Sequence, residues 1–398
     1  MLGIVNIVIP ATNLAKTVAK TSYSLLENLH NMQVVSGSKH YLKSKMINLN
    51  NNKLNKNFEE TPMSELKIIA EVGQNHQGNL DLAIEYVEKF SKLGASIIKF
   101  QARNNKYLFD ESRFNLNYDS PNSFGLTYGE HREKLEFKEE DLLKIKKSTE
   151  NSNSKFCCTP FDEESLEMLI RINTDYIKVA SFDMGNIPFL RRIGMQRKTT
   201  IISTGGANIE IIKESLKALD YGQDIFVLHC TSEYPCPAEK VNLSMIPILI
   251  NQFPQYKIGI SDHFNGTLTG PLARILGAVA FEKHVTFDRS QKGSDHKFSL
   301  EPEGFRKFVR DIRRTEVLFK RRDLENIGSE EVFERLGKSC VAAKDIKKGD
   351  KVEFDHISGK IFNKQKIPIR ECRKIVGKFV SKDIKKGDPF EYDFISNV

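Results

Sequence analysis

Two lysines, two histidines and several carboxylates stand at the ends of short apolar runs, and these side chains could do chemistry together. Lys99 and Lys178 interrupt the runs SIIKFQ and YIKVAS, where an ammonium is costly unless it meets an anion. A structural salt bridge would explain either one singly, but two on one rim suit a ligand carrying carboxylate and phosphate groups. A lysine so placed, Lys178 or Lys283, could instead form a Schiff base. His263 in Ser261-Asp262-His263 and His284 in Glu282-Lys283-His284 close consecutive runs. Imidazoles on neighbouring strand ends could hold one divalent ion with open positions. Asp295, in Gly293-Ser294-Asp295-His296, could add a carboxylate to the same face. Thr159, Ser181, Ser203, Thr231 and Ser261 could donate to phosphate oxygens.

Eight elements must position these groups. The runs KIIAE (67–71), SIIKFQ (96–101), KFCCT (155–159), YIKVAS (176–181), TIIS (200–203), DIFVLHC (224–230), KIGIS (257–261) and AVAFEKH (278–284) are short and β-branched. Being apolar on both faces, they suit strands buried between a barrel interior and a helical shell. Helix-period stretches fill the intervals: Asn79–Leu93, Glu139–Thr149, Glu163–Ile172, Asn208–Leu219 and Glu303–Phe319. The alternation predicts an α/β fold, a TIM (β/α)8 barrel over 64–320 whose strand C-termini share one rim. The loop Glu71–Gly78 follows the first strand directly, and its Asn75, His76 and Gln77 could bind hydroxyls or simply cap a helix. Ala102 to Glu136 separates the second and third strands, an excursion long enough for a lid or substrate loop.

Beyond the barrel an internal repeat appears. Lys344-Asp345-Ile346-Lys347-Lys348-Gly349-Asp350 recurs as Lys382-Asp383-Ile384-Lys385-Lys386-Gly387-Asp388. Two copies predict a small β-rich unit over 332–398 with pseudo-twofold symmetry, each Lys-Gly-Asp closing a turn. A linker is expected over 321–331, and a flexible arm over 1–63, which takes in the Asn-rich stretch 47–57 and ends at Met63 just before the first strand.

The net charge of +8 is uneven: residues 1–63 contribute +4, residues 332–398 contribute +6, and the middle sums to −2. No aromatic-interleaved basic helix or zinc-finger spacing accompanies the basic tail, so nucleic acid is not an expected partner. No run approaches the ~18 apolar residues of a membrane span. Six cysteines without framework spacing point to reduced thiols and a cytoplasmic setting.

The runs IIAEVGQNHQG, IKFQ, TYGEH, LEF, IKVAS, ISTGG, HCTSEYP, SDH, FEKHVT and KGSDH together resemble the sialic acid synthases. LGKSCVA and the two KDIKKGD copies resemble the antifreeze-type (SAF) domain appended to those enzymes. The resemblance implies condensation of phosphoenolpyruvate with N-acetylmannosamine or its 6-phosphate, dependent on manganese or magnesium. It implies that His263 and His284 hold the metal. Lys99, Thr159, Lys178, Ser181, Ser203, Ser232 and Ser261 would cradle phosphoenolpyruvate. Glu71, Glu282 and Asp295 would act at the reacting centre, with Gln101, Asp183 and Tyr234 facing the sugar. It further implies a homodimer in which the small domain covers the partner's barrel. An arginine that bacterial members carry in that domain has no match here, although Lys360 and Lys364 are nearby. Asp183 stands where bacterial members often carry glutamate. LGKSCVA and TYGEH look more like the animal enzymes, which favours the phosphorylated acceptor; Arg103, Lys106, Arg132 or tail lysines could then hold a second phosphate. A Schiff-base aldolase and a non-catalytic sugar-phosphate binder are the alternatives.

Overall fold

A computed structural model describes residues 66–320 and 331–396. The arm expected over 1–63 and nearly all of the linker 321–331 lie outside the described residues. The eight apolar runs form eight strands: β1 Lys67–Gly73, β2 Ile97–Ala102, β3 Lys155–Pro160, β4 Tyr176–Val179, β5 Thr200–Ser203, β6 Ile225–Cys230, β7 Lys257–Asp262 and β8 Ala280–His284. They close in sequence order into a parallel barrel, β8 pairing back onto β1. The expected (β/α)8 architecture is the one observed.

Side chains of a strand alternate between its two faces, and this alternation sorts the barrel. Ile69, Ile97, Cys157, Ile201, Phe226, Leu228 and Ala280 pack together as an apolar plug inside it. Ile68, Ala70, Ile98, Phe100, Phe156, Cys158, Ile202 and Val227 belong to the larger core shared with the helices. Two residues beyond the last plug residue of each of these strands the interior face turns polar: Glu71, Lys99, Thr159, Ser203, Cys230 and Glu282 all line one cavity. Such layering is how a barrel of this size fills its interior.

The shell helices start where short polar side chains cap them. Asn79 Oδ1 accepts from the Leu82 amide at 3.0 Å, and Asp162 Oδ1 accepts from the Ser165 amide at 2.7 Å, each satisfying a donor with no partner inside its helix. Helices Ile187–Met195, Met245–Gln252 and Thr269–Ile275 add to those expected; the last two are short, which weakens their period in the sequence. No helix among the described residues is long and apolar enough to cross a membrane.

The described residues divide into two compact units that part after Phe319. The second has its own core of Cys340, Ala342, Ile346, Val352, Ile367, Ile375, Val380, Ile384 and Phe390. Its repeats answer one another. Ile346 and Ile384 pair antiparallel, Lys347 Nζ reaches Asp383 at 3.0 Å, and Lys385 Nζ reaches Asp345 at 3.1 Å. Asp383 also accepts from the Lys348 amide and Asp345 from the Lys386 amide, both at 2.9 Å. Gly349 and Gly387 occupy the left-handed turn position, with φ of +89° and +92°. The pseudo-twofold unit read from the repeat is therefore present.

Gly259 in β7 stands where packing leaves no room for a side chain. A Cβ there would stand 2.3 Å from the Ala280 carbonyl and 2.6 Å from the Leu228 side chain. Overpacking of this kind costs about 1–3 kcal/mol. Gly259→Ala is expected to lower the thermal midpoint by several degrees in a calorimetric scan; an unchanged midpoint would refute this steric reading.

Candidate active site

The strand register brings the charged residues together. Glu71 in β1 is paired with Lys99 in β2 on one side and with His284 in β8 on the other. Ser261 in β7 is paired with Glu282 in β8. Lys99 Nζ stands 2.9 Å from Glu71 Oε2 and 3.7 Å from Glu282 Oε1, all three side chains being at most 5% exposed. Gln101 Nε2 donates to Glu71 Oε1 at 2.7 Å, and Ser261 Oγ donates to Glu282 Oε1 at 3.0 Å. Burial disfavours both carboxylates. Glu282 is nevertheless held below the usual range by the Lys99 and Lys178 charges. For Glu71 burial prevails over Lys99, and its carboxyl is raised. Two carboxyls sharing one lysine are thus pushed apart, the arrangement that separates a permanent anion from a proton carrier.

Lys178 is different. Its ammonium donates to Ser203 Oγ at 2.7 Å and to the Val179 carbonyl at 2.8 Å. Among the described residues no carboxylate comes within ion-pair distance of it. Burial and the nearby Lys99 charge both lower its pKa, against the pull of Glu282. A buried cation with only neutral partners is a seat for an anion. Hydroxyls surround that seat: Ser181 and Ser203 line the same cavity as Thr159 and Ser261. A Cβ on Gly205 would meet Ser232 Oγ at 2.1 Å and Ser181 Oγ at 2.7 Å, so only glycine lets these two hydroxyls close over the backbone.

His263 and His284 stand with ring centroids 5.4 Å apart. His263 Nδ1 is 2.9 Å from the Thr231 carbonyl; a carbonyl only accepts, so Nδ1 carries a proton and the neutral ring offers the lone pair of Nε2. His284 Nδ1 is buried without a hydrogen-bond partner, as is Glu282 Oε2. Orphaned polar atoms of this kind mark places where a ligand belongs. Burial holds the His284 imidazole neutral, its pKa lowered, as a metal ligand requires. The pair therefore fits a divalent ion. No cluster of three or more His, Cys, Asp or Glu side chains among the described residues is disposed to hold a metal, so further ligands would come from substrate or water. Asp295 Oδ2 is 3.6 Å from His284 Nδ1, and Tyr234 packs on His263 with centroids 4.1 Å apart.

All these groups open into one cavity of about 550 Å³. Of the expected residues, Glu71, Lys99, Gln101, Thr159, Lys178, Ser181, Ser203, Tyr234, Ser261, His263, Glu282, His284 and Asp295 line it. Asp183 and Ser232 do not: Asp183 accepts from Asn186 at 3.0 Å, and Ser232 stands against Gly205, 3.8 Å from Cys230 Sγ. Lys106 is exposed outside it. Lys283 is also absent from the lining, because its place in β8 turns it into the shell, where it meets Asp262 Oδ2 at 2.6 Å.

The loop after β1 departs from its hydroxyl-binding expectation. Asn75 Nδ2 donates to the Val285 carbonyl at 2.9 Å, Gln77 Nε2 donates to the Lys292 carbonyl at 2.9 Å, and His76 stacks on Phe137 at 4.2 Å. These side chains hold loops together, and Gln74 alone of the four from Gln74 to Gln77 lines the cavity. Cys230, Tyr128, Phe161 and Phe182 line it as well and were not singled out from the sequence. The alternation Phe226, Leu228, Cys230 along β6 carried the signal for the thiol.

Comparison with known proteins follows the same lines. The NeuB family pattern matches residues 86–323. The chain belongs to the NeuB family. It is 33% identical over 315 residues to the human N-acetylneuraminate-9-phosphate synthase, covering 79% of this chain and 88% of that one. It is 35% identical over 298 residues to N,N'-diacetyllegionaminic acid synthase of Campylobacter jejuni, covering 72% of this chain and 88% of the relative. A crystal structure of N-acetylneuraminic acid (sialic acid) synthetase from Leptospira borgpetersenii, in complex with citrate, superposes with a TM-score of 0.59 at 32% identity, covering 67% of this chain and 89% of that one. The expected kinship with sialic acid synthases holds at the level of the family.

Two consequences of this NeuB-family site can be measured. Lys99→Met would leave Glu71 and Glu282 buried without a counter-charge and is expected to cost about 3–5 kcal/mol in urea unfolding. Lys178→Met strands no carboxylate and is expected to cost far less; equal losses would contradict the difference in partners. Burial pushes the His76 imidazole down to about 3 from its ordinary 6.5. The unfolded chain then binds the extra proton between those values, so stability falls as pH drops from about 6.5 towards 3. His76→Gln is expected to flatten that part of the curve of thermal midpoint against pH; an unaltered slope would exclude His76 as its source.

Proposed function

We propose that this chain condenses phosphoenolpyruvate with N-acetylmannosamine 6-phosphate to give N-acetylneuraminate 9-phosphate and inorganic phosphate. One observation carries the reading: Lys178, a buried cation without a carboxylate partner among the described residues, opens with a hydroxyl cluster into the same cavity as the paired imidazoles His263 and His284. The family, and relatives named as synthases of nine-carbon sugar acids or their phosphate, support it.

The chemistry asks four things of these residues. A multiply charged donor must be held against its own repulsion and presented on one face. Lys178, with Ser181, Ser203, Thr159 and Ser261, does this by charge and O–H donors, a positioning contribution. A divalent ion at His263 and His284, manganese or magnesium, would supply Lewis-acid polarisation of the acceptor's aldehyde. The enol carbon of the donor attacks the aldehyde carbon, forming the carbon–carbon bond and leaving positive charge at donor C2. Glu282, kept ionised beside Lys99, faces that charge. Water then adds at C2, its proton passing by way of Glu71 or Asp295 to the alkoxide left on the former aldehyde oxygen. Phosphate leaves with cleavage of its C–O bond, taking the C2 hydroxyl proton as the ketone forms. Gln101 and Tyr234 flank the acceptor. The homodimer expected from the resemblance, with the small unit as an antifreeze-type domain, belongs to the same proposal.

Incubating the protein with phosphoenolpyruvate, manganese and each acceptor, and weighing the products, tests the reading. The expected result is a product with the mass of the nine-carbon phosphate, formed together with inorganic phosphate and lost in excess chelator. Full turnover in chelator would remove the metal from the mechanism. Borohydride trapping with pyruvate is expected to label no lysine; a label on Lys178 would replace the synthase with an imine-forming aldolase.

A further inference from the structure

Four cations line the barrel cavity: Lys99, Arg103, Lys178 and Arg132. They divide by partner. Lys99 is neutralised by Glu71 at 2.9 Å, and Arg103 by Glu136 at 3.2 Å. Neither Lys178 nor Arg132 has a carboxylate within ion-pair distance among the described residues. The phosphoenolpyruvate assigned above accounts for Lys178. Arg132 is left over, and it belongs to another part of the fold: not a barrel strand but the helix Tyr128–Glu133 in the excursion between β2 and β3.

The surroundings of Arg132 hold its guanidinium without cancelling its charge. Its Nε and Nη2 donate to Tyr128 Oη at 3.2 and 2.9 Å, and its Nη1 donates to Gln74 Oε1 at 2.5 Å. Gln74 is turned the right way because its Nε2 donates to Glu136 Oε1 at 3.0 Å. Glu136 is occupied elsewhere, accepting from the Arg103 guanidinium at 3.2 Å and from the Arg103 amide at 3.0 Å. The supporting helix is fixed at its start by a reciprocal Thr127–Glu130 capping box. Below it, Gly129 packs so closely that a Cβ would stand 2.4 Å from the Phe114 ring. Since Tyr128 Oη accepts from Arg132, its own proton remains to be donated. A guanidinium fork with spare N–H groups and an adjacent phenol O–H match the oxygens of a phosphate monoester.

We propose that Arg132, with the Tyr128 hydroxyl, binds the phosphate of a hexose monophosphate acceptor, as a second anion subsite separate from the one at Lys178. This rests on the synthase reading and deepens it: Arg132 becomes the residue that selects a phosphorylated over a free sugar.

The test compares the two acceptors in the full-length protein, manganese and phosphoenolpyruvate being saturating. In Arg132→Gln the ratio of kcat/KM for N-acetylmannosamine 6-phosphate to that for N-acetylmannosamine is expected to fall about 10- to 100-fold, the loss of one or two charge-assisted hydrogen bonds. Arg132→Lys should recover part of it. A ratio unmoved by Arg132→Gln overturns the proposal, as does a wild-type protein that uses both sugars equally. Calorimetric titration of the unmodified protein with each sugar guards against a variant that fails to fold and is independent of turnover. Tighter binding of the phosphorylated sugar, weakened by inorganic phosphate, supports the subsite, and equal binding sinks it. Absence of turnover with both sugars alongside selective binding of the phosphate would refute the synthase reading while leaving the subsite standing.

Discussion

A layer of buried charge resting on an apolar plug is the constraint from which the rest of this barrel follows. Lys99, Glu71 and Glu282 are almost wholly removed from water, a placement that costs several kcal/mol per ion unless the charges meet in good geometry. They meet because parallel register sets β1 between β2 and β8. Below them the interior is entirely hydrocarbon and thiol. The charges are therefore held by a closed sheet and do not need to be gathered when a substrate arrives.

That layer also explains why two lysines with the same sequence context have different duties. Lys99 is answered by two carboxylates and serves to keep them fixed and to separate their proton affinities. Lys178 is answered by a hydroxyl and a carbonyl, which satisfy its donors but not its charge. The charge is then available to a ligand. The same distinction sets Arg132 apart from Arg103 on the other wall of the cavity, where Glu136 can answer one guanidinium and not both.

The polar residues of the loop after β1 show the converse. Asn75, His76 and Gln77 have the chemistry of a binding loop, yet the backbone turns them into neighbouring carbonyls and an aromatic ring. Their work is to pin the β1 loop to the segment that carries Asp295.

The sequence by itself determined the barrel, since short runs apolar on both faces, alternating with amphipathic helices, leave little other way to bury both faces of eight strands. It also placed Glu71, Lys99, Lys178, His263, Glu282 and His284 at one rim, because strand ends of a parallel barrel converge. The repeat placed one Lys-Gly-Asp turn in each half of the small unit, at Gly349 and Gly387, and the structure added the reciprocal contacts of Asp345 and Asp383. Tertiary structure decided what adjacent letters could not. Residues next to one another on a strand face opposite ways, so Lys283 went to the shell beside Asp262 while Glu282 and His284 went to the cavity. Which cation keeps its charge free was likewise settled only by the partners that folding brings to it: Glu71 to Lys99, Glu136 to Arg103, and to Lys178 and Arg132, among the described residues, only uncharged ones.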